Sequence, residues 1–204
     1  LADGVAFYKE LKTRVARAGR SPDDLKIMPG LSPVVGRTRE EAQAKFQELQ
    51  ELIDPVVGLG LLSSMAGYDL SGYPVDGPFP DLPDSNTGKG RLKVLKDTAH
   101  RENLTIRQLY MRIAGTRGHN LVIGTAADIA DQMEEWFTSE AADGFNIMPQ
   151  ALPASLSDFV ELVIPELQRR GLFRTEYEGR TLREHLGLSW PANRYAAARA
   201  AAAE

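Results

Sequence analysis

The residues with the greatest potential for chemistry lie in one block, which runs from His119 to Asp128. A histidine is a potential general base, and the Gly124-Thr125 turn opens an amphipathic segment whose first N–H groups are a potential anion site. Both features also have structural interpretations. His119 enters its segment from the N-terminal end, so we interpret it as structural. Thr125 and Asp128 have the spacing of helix caps, and we favour that interpretation because Asp128 would repel an anion.

Composition excludes several other chemistries. The chain contains no cysteine, which rules out disulfides, thiolate metal sites and a cysteine nucleophile. The carboxylates are scattered over polar helix faces, and no histidines and carboxylates have metal-ligand spacing, so we assign no catalytic residue and no metal. The net charge is −4 without a basic stripe, so nucleic acid is not expected as a partner. No apolar run reaches the roughly 18–20 residues of a membrane span, and no signal peptide opens the chain. We therefore expect a cytoplasmic protein that does not bind membranes.

Three predicted strands, each followed by a helix, must position these residues. We place the strands at 25–30, 120–124 and 145–149. Pro29 and Pro33 both lack an N–H group, so we expect the first strand to stop at residue 30 and an irregular stretch to follow. The alternation of strands and helices predicts an α/β fold with a parallel sheet, and three strands are too few to close a barrel of eight.

Two capping boxes mark helix starts, at Thr38-Arg39-Glu40-Glu41 and at Thr105-Ile106-Arg107-Gln108. Between them, residues 55–104 change in character. Four prolines between Ser71 and Gly90 exclude a regular element there. A loop of this length is typically a functional lid or disordered, and both interpretations stay open.

Six segments together have a recognisable pattern: Leu25–Thr38, Asp69–Pro74, Gly118–Thr125, Ala142–Pro149, Val163–Gly171 and Tyr177–Glu184. They resemble the C-terminal part of the bacterial luciferase-like, flavin-dependent monooxygenases. Within that family they resemble the subgroup of the nitrilotriacetate and dibenzothiophene-sulfone monooxygenases. The resemblance covers nearly all of residues 1–195.

The resemblance implies a fold and a cofactor. The fold is the C-terminal part of a TIM (β/α)8 barrel, about strands six to eight with their helices, over residues 1–173. Residues 55–104 are an insertion or lid within it, and residues 174–204 are a C-terminal extension. The cofactor is reduced FMN (FMNH2), which acts with O₂ and is delivered by a separate NADH:FMN reductase. A flavin peroxide then oxygenates a small-molecule substrate, often with cleavage of a C–N or C–S bond. The phosphate-binding loops of the family lie on earlier strands, so we expect this chain to be inactive alone.

Chemistry in a TIM barrel lies at the C-terminal ends of the strands, and this rule selects the candidate site residues. By our strand assignment the ends are at Gly30-Leu31-Ser32, Val122-Ile123-Gly124 and Met148-Pro149-Gln150. A lid would shield the flavin peroxide from water and would add residues from the insertion. Our pocket candidates are Gly30, Leu31, Ser64, Met65, Val122 and Met148. For Val122 and Met148, packing in the barrel core is an equal alternative.

Two other functions stay open. The chain is alternatively a non-catalytic, truncated α/β fragment that acts only with its N-terminal half or as a homo-oligomer. It begins at Leu1 rather than at methionine, which favours an internal starting point. Another small-molecule TIM-barrel enzyme is the weaker alternative, because the last of the six segments are specific to the subgroup.

Overall fold

The computed structural model describes residues 1–83, 89–116, 118–191, 193 and 195. The strands are β1 (Gly30–Val35), β2 (Asn120–Gly124) and β3 (Asn146–Ile147). The helices are α1 (Ala2–Arg17), α2 (Arg39–Glu51), α3 (Pro55–Ala66), α4 (Lys89–Glu102), α5 (Ile106–Thr116), α6 (Ala126–Thr138), α7 (Ala154–Asp158), α8 (Ile164–Arg169) and α9 (Leu182–His185). The predicted α/β class is confirmed, with a parallel sheet of three strands in the order β2-β1-β3.

The first strand lies five residues later than the sequence predicted. We expected 25–30 followed by an irregular stretch, and that expectation is wrong because β1 continues through Pro33 to Val35. The N–H groups of alternate residues in a strand face the same neighbour. In β1 the even positions face β2, as the bond from the Gly36 N–H to the Gly124 carbonyl shows (3.0 Å). Both prolines occupy odd positions, which face β3, so neither removes a donor from the β1–β2 ladder.

The other two strands were predicted more closely. β2 has the predicted bounds, whereas β3 has two residues instead of the five expected at 145–149. β3 pairs with β1 rather than with β2, through the bonds from the Asn146 N–H to Pro29 (3.0 Å) and from the Met148 N–H to Leu31 (2.8 Å). In a complete barrel each strand lies beside the next one. In this chain β3 instead covers the second edge of β1, which would otherwise leave its N–H and C=O groups unpaired.

Both predicted capping boxes lie at helix starts, and the Thr105–Gln108 box is complete. The Thr105 and Gln108 side chains each bond the other residue's N–H, at 3.2 and 2.9 Å, as a capping box requires. Thr38 accepts a bond from the Glu41 N–H at 3.2 Å. The Glu41 carboxylate, however, reaches one residue further and accepts from the Arg37 N–H at 2.9 Å.

The described part of the insertion contains α3 and α4, which pack with α5 in a helical layer that has its own core. Its fully buried members include Leu62, Ala66, Leu70 and Ile106. A Cβ built on Gly58 would lie 2.5 Å from the Tyr110 ring, so this glycine lets α3 approach α5 closely. The disorder interpretation therefore does not hold for residues 55–83 and 89–104, whereas residues 84–88 lie outside the described part.

Contacts divide the chain into two units. One consists of Leu1–Met28, Met133–Phe145 and Leu167–Glu204. The other consists of Pro29–Gln132 and Asn146–Glu166, and it contains the whole sheet and the insertion. Within the described ranges, no helix combines the length and the apolar character that crossing a membrane requires.

Candidate functional site

The shift of β1 changes which residues stand at its C-terminal end. Gly30 and Leu31 are the first two residues of the strand, so our placement of both at its C-terminal end is corrected. The strand ends at Val35 and is followed by Gly36. Our error came from the two prolines, which do not interrupt the strand for the reason given above. The role of Gly30 and Leu31 in a pocket stays a prediction.

Gly30 lies against His119, where β1 and β2 begin. A Cβ built on Gly30 would be 2.3 Å from Nδ1 of His119, closer than any side chain could approach. The glycine is therefore needed so that the imidazole can pack on the backbone of β1. This contact supports the structural interpretation of His119.

The remaining candidates lie on different elements. Val122 pairs with Pro33 and shares a face of the sheet with the buried Leu31, because register partners in parallel strands point the same way. In the insertion, Ser64 is exposed on α3. Met65, the next residue, reaches towards Gly118, and its Cε would be 3.5 Å from a Cβ built there. Met148 follows β3 and is 37% exposed.

The structure instead brings together Ser32 and the segment after β3. Ser32 is buried in β1, with 1% of its surface exposed. Its hydroxyl donates to the Met148 carbonyl at 3.2 Å and accepts from Nε2 of Gln150 at 3.3 Å. We call these three residues the Ser32–Gln150 centre.

Hydrogen-bond donors and acceptors in this centre fix the orientation of the Gln150 amide. A serine hydroxyl has one proton, and Ser32 gives it to Met148, so Ser32 meets Gln150 as an acceptor. Gln150 must therefore present its NH₂ group to Ser32, and its Oε1 points elsewhere. That oxygen is buried and meets no donor among the described residues. Such acceptors are rare in native proteins, because a buried oxygen without a donor costs about 1–3 kcal/mol.

Side chains satisfy the hydrogen-bonding groups at the start of α6. Oδ2 of Asp128 accepts from the Thr125 N–H at 3.0 Å and from the Thr125 hydroxyl at 2.8 Å. Nε of Arg39 also donates to this carboxylate at 3.0 Å. Arg39 first, and then the Thr125 donors, hold the pKa of Asp128 well below its ordinary value. The capping interpretation is confirmed, and the carboxylate occupies the position that an anion would need.

A second polar centre surrounds Asp143, which precedes β3 and which the sequence analysis did not select as a candidate. Its carboxylate accepts from the Ile27 N–H (2.7 Å) and the Tyr8 hydroxyl (2.9 Å), and Lys12 Nζ lies 3.0 Å from it. Lys12 also donates to the carbonyls of Leu25 (2.6 Å) and Pro22 (3.0 Å). We call this set the Asp143 centre, and its main groups are all hydrogen-bonded.

Burial and hydrogen bonding act in opposite directions on the two acids of the Asp143 centre. Burial by itself would raise the pKa of Asp143, but the Ile27 N–H, Lys12 and Tyr8 outweigh it, and the pKa lies below the ordinary value. For Tyr8, burial and then the bond to Asp143 raise the pKa to about 12. Asp143 therefore stays ionised and Tyr8 stays protonated near neutral pH. This arrangement suits a structural ion pair rather than acid–base catalysis, which needs a pKa close to the working pH.

Sequence reasoning noted Ser32 and Gln150 as strand-end residues but selected neither as a pocket candidate. No local signal identifies them, since they are 118 positions apart in the chain. Across the described residues, no three His, Asp or Glu side chains converge as metal ligands would.

A parallel α/β sheet with polar side chains after one of its strands is the arrangement found in TIM barrels and in other α/β folds. Residues 1–143 match the model of the luciferase-like monooxygenases. The chain therefore belongs to the luciferase-like monooxygenase family, and its fold is the C-terminal part of that barrel.

Particular relatives are similar over most of the chain. It is 53% identical to nitrilotriacetate monooxygenase component A of Aminobacter aminovorans, over 95% of this chain and 43% of that protein. It is 52% identical to N-acetyl-S-(2-succino)cysteine monooxygenase of Bacillus subtilis, over 93% of this chain and 44% of that protein. The crystal structure of riboflavin lyase (RcaE) with modified FMN and riboflavin aligns with a TM-score of 0.74 and 29% identity, over 91% of this chain and 40% of that one. The chain thus spans less than half the length of these relatives.

Proposed function

We propose that this chain is the C-terminal part of a flavin-dependent monooxygenase of the two-component type. In this proposal, reduced FMN comes from a separate NADH-dependent reductase and O₂ is the second reactant. The observation that carries it is the match of residues 1–143 to the luciferase-like monooxygenases. The relative named as a component A supports a division of labour between two proteins.

We propose further that the substrate is a small organic molecule from which oxygenation cleaves a C–N or a C–S bond. Two similar enzymes support this choice. Nitrilotriacetate is a tertiary amine with C–N bonds, and N-acetyl-S-(2-succino)cysteine is a thioether with C–S bonds. A protein about 52–53% identical to both is expected to act on the same class of bond.

The residues present fit part of a flavin. The buried Oε1 of Gln150 needs a donor, and a flavin carries N–H and O–H groups. Val122, on the sheet face of the fully buried Leu31, and Met148 after β3 would offer apolar contacts to the ring or the substrate. When bound, the flavin supplies the redox chemistry with O₂, and the protein contributes binding, orientation and exclusion of water.

We propose that the insertion is a fixed cover rather than a moving lid. The described Pro-rich residues are tied to the start of α5, because the Ile106 and Arg107 N–H groups donate to the Gly77 and Val75 carbonyls at 3.0 and 2.7 Å. Arg107 also binds both carboxylate oxygens of Asp76. Ser64 and Met65 stay candidates for its inner surface, although the contact of Met65 with Gly118 equally suits packing.

The test uses the full-length protein that contains this chain. FMN, NADH and a flavin reductase would be supplied, and O₂ consumption and product formation would be measured with nitrilotriacetate and N-acetyl-S-(2-succino)cysteine. We expect substrate-dependent product above the level of the reductase alone. If no compound gives such product and the full-length protein does not bind FMN, the proposal is wrong. The isolated chain gives a second check, because micromolar FMN binding by it would contradict an incomplete flavin site.

A further inference from the structure

The open acceptor of the Ser32–Gln150 centre has a direction and a location. Its direction is fixed, because the single proton of Ser32 goes to Met148 and the NH₂ group of Gln150 must face Ser32. Its location is three residues after β3, on the C-terminal side of that strand, where TIM barrels carry their chemistry. Gln150 as a whole is half-buried, and its Oε1 is fully buried.

The chemistry of an amide oxygen restricts what could bind to it. A carbonyl oxygen accepts hydrogen bonds and donates none, so a carboxylate or phosphate would meet another acceptor there. The partner must bring an N–H or O–H group. An oxidised flavin has one N–H on its ring system, at N3, and hydroxyls on its ribityl chain.

We propose that Oε1 of Gln150 accepts a hydrogen bond from an N–H or O–H group of the bound flavin, and that Ser32 is the positioning residue for this amide. The inference rests on the proposed flavin-dependent function and adds two residues to it. Ser32 holds the NH₂ group of Gln150, so that the oxygen faces the ligand before it binds. This preorganisation removes part of the ordering cost of binding.

The experiment measures binding of oxidised FMN to the full-length protein by quenching of flavin fluorescence. Gln150→Met keeps the length of the side chain and removes the acceptor, and we expect a roughly tenfold higher Kd, as for one lost hydrogen bond. Ser32→Ala keeps the acceptor but frees the amide, so a smaller increase, about threefold, is expected. Gln47→Met is the matched control. Gln47 is exposed on α2, and among the described residues its side chain bonds Glu51 (3.1 Å), so its replacement should leave the Kd unchanged.

A second readout separates binding from stability. The visible absorption band of bound FMN responds to hydrogen bonds at the ring, so Gln150→Met should shift the band whereas Gln47→Met should not. Lumiflavin, which lacks the ribityl chain, distinguishes the two donors. If Gln150→Met also raises the Kd for lumiflavin, the bond is assigned to the ring N–H. If it leaves the Kd for lumiflavin unchanged, the bond is assigned to a ribityl hydroxyl.

The outcomes also separate this inference from the proposed function. If the unaltered full-length protein does not bind FMN, the proposed function fails. If it binds FMN and Gln150→Met binds with a Kd within twofold of the same value, only the inference about Gln150 is overturned. If Gln150→Met weakens substrate binding but not FMN binding, the inference is overturned as well, because the donor would then belong to the substrate.

Discussion

The Asp143 centre and the Ser32–Gln150 centre flank the same short strand in sequence, yet they differ in how their polar atoms are used. Asp143 comes three residues before β3 and accepts from an amide, a hydroxyl and an ammonium group. Gln150 comes three residues after β3 and keeps one buried oxygen without a donor among the described residues.

This difference matches a division of labour known for barrels. The N-terminal ends of the strands serve stability and the C-terminal ends serve chemistry. A centre whose acceptors are all filled has no capacity left for a ligand. A centre with a free acceptor gives up some stability and gains a place where a ligand can bond.

The largest effect is expected at Asp143. Its side chain and that of Lys12 are only 14% and 11% exposed, so Asp143→Ala leaves an uncompensated charge out of water. We expect the free energy of unfolding, measured in urea, to fall by about 3 kcal/mol. Asp97→Ala removes an ion pair with Lys93 whose side chains are 55% and 75% exposed, and should cost less than about 0.5 kcal/mol. Equal losses in the two variants would show that the Asp143 centre is not structural.

The contribution of Asp143 should also depend on pH. Its pKa is lower in the folded protein than the ordinary 3.8, so its stabilising effect is complete above that pH and is lost as the pH falls through the folded-state value. The difference in unfolding free energy between the unaltered protein and Asp143→Asn should be constant between about pH 5 and about pH 7. It should shrink as the pH falls below about 4. A difference that grows on acidification would reverse the assigned sign.

A medium effect is expected where β1 and β2 begin. Gly30→Ala places a methyl group against the His119 ring, and overpacking of this kind should cost about 1–2 kcal/mol. In a His119→Ala background the same change should be nearly neutral, because the clashing ring is gone. A double-mutant cycle in urea measures this coupling. Additive costs would mean that Gly30 is required for some other reason, such as contact with a ligand.

The smallest effect is expected at Gln150 in the absence of flavin. Gln150→Met removes the bond to Ser32 but also removes the oxygen that has no donor. The two contributions oppose each other, so the free energy of unfolding should change by less than about 1 kcal/mol in either direction. A loss as large as that of Asp143→Ala would show that the oxygen is already bonded in the flavin-free protein, and the contrast between the two centres would disappear.

Some of these features were accessible from sequence and others were not. The bounds of β2 and the Thr105–Gln108 capping box follow from patterns a few residues long, and the structure confirms them. The position of β1 was missed because the effect of a proline depends on which neighbouring strand its missing N–H would face. That parity is set by the partners β2 and β3, not by the residues of β1 themselves.

The sequence by itself determined the family, the α/β class, the helix caps and the strand β2, because each depends on residue spacing over short stretches or on whole-segment similarity. Only the tertiary structure decided that β3 covers the second edge of β1, that Asp143 is saturated and that Gln150 is not. Those outcomes depend on hydrogen bonds between residues 116–135 positions apart. Whether a polar side chain has all its hydrogen bonds depends on the donors and acceptors that folding brings next to it. These groups are distant in the chain, so the local sequence does not identify them.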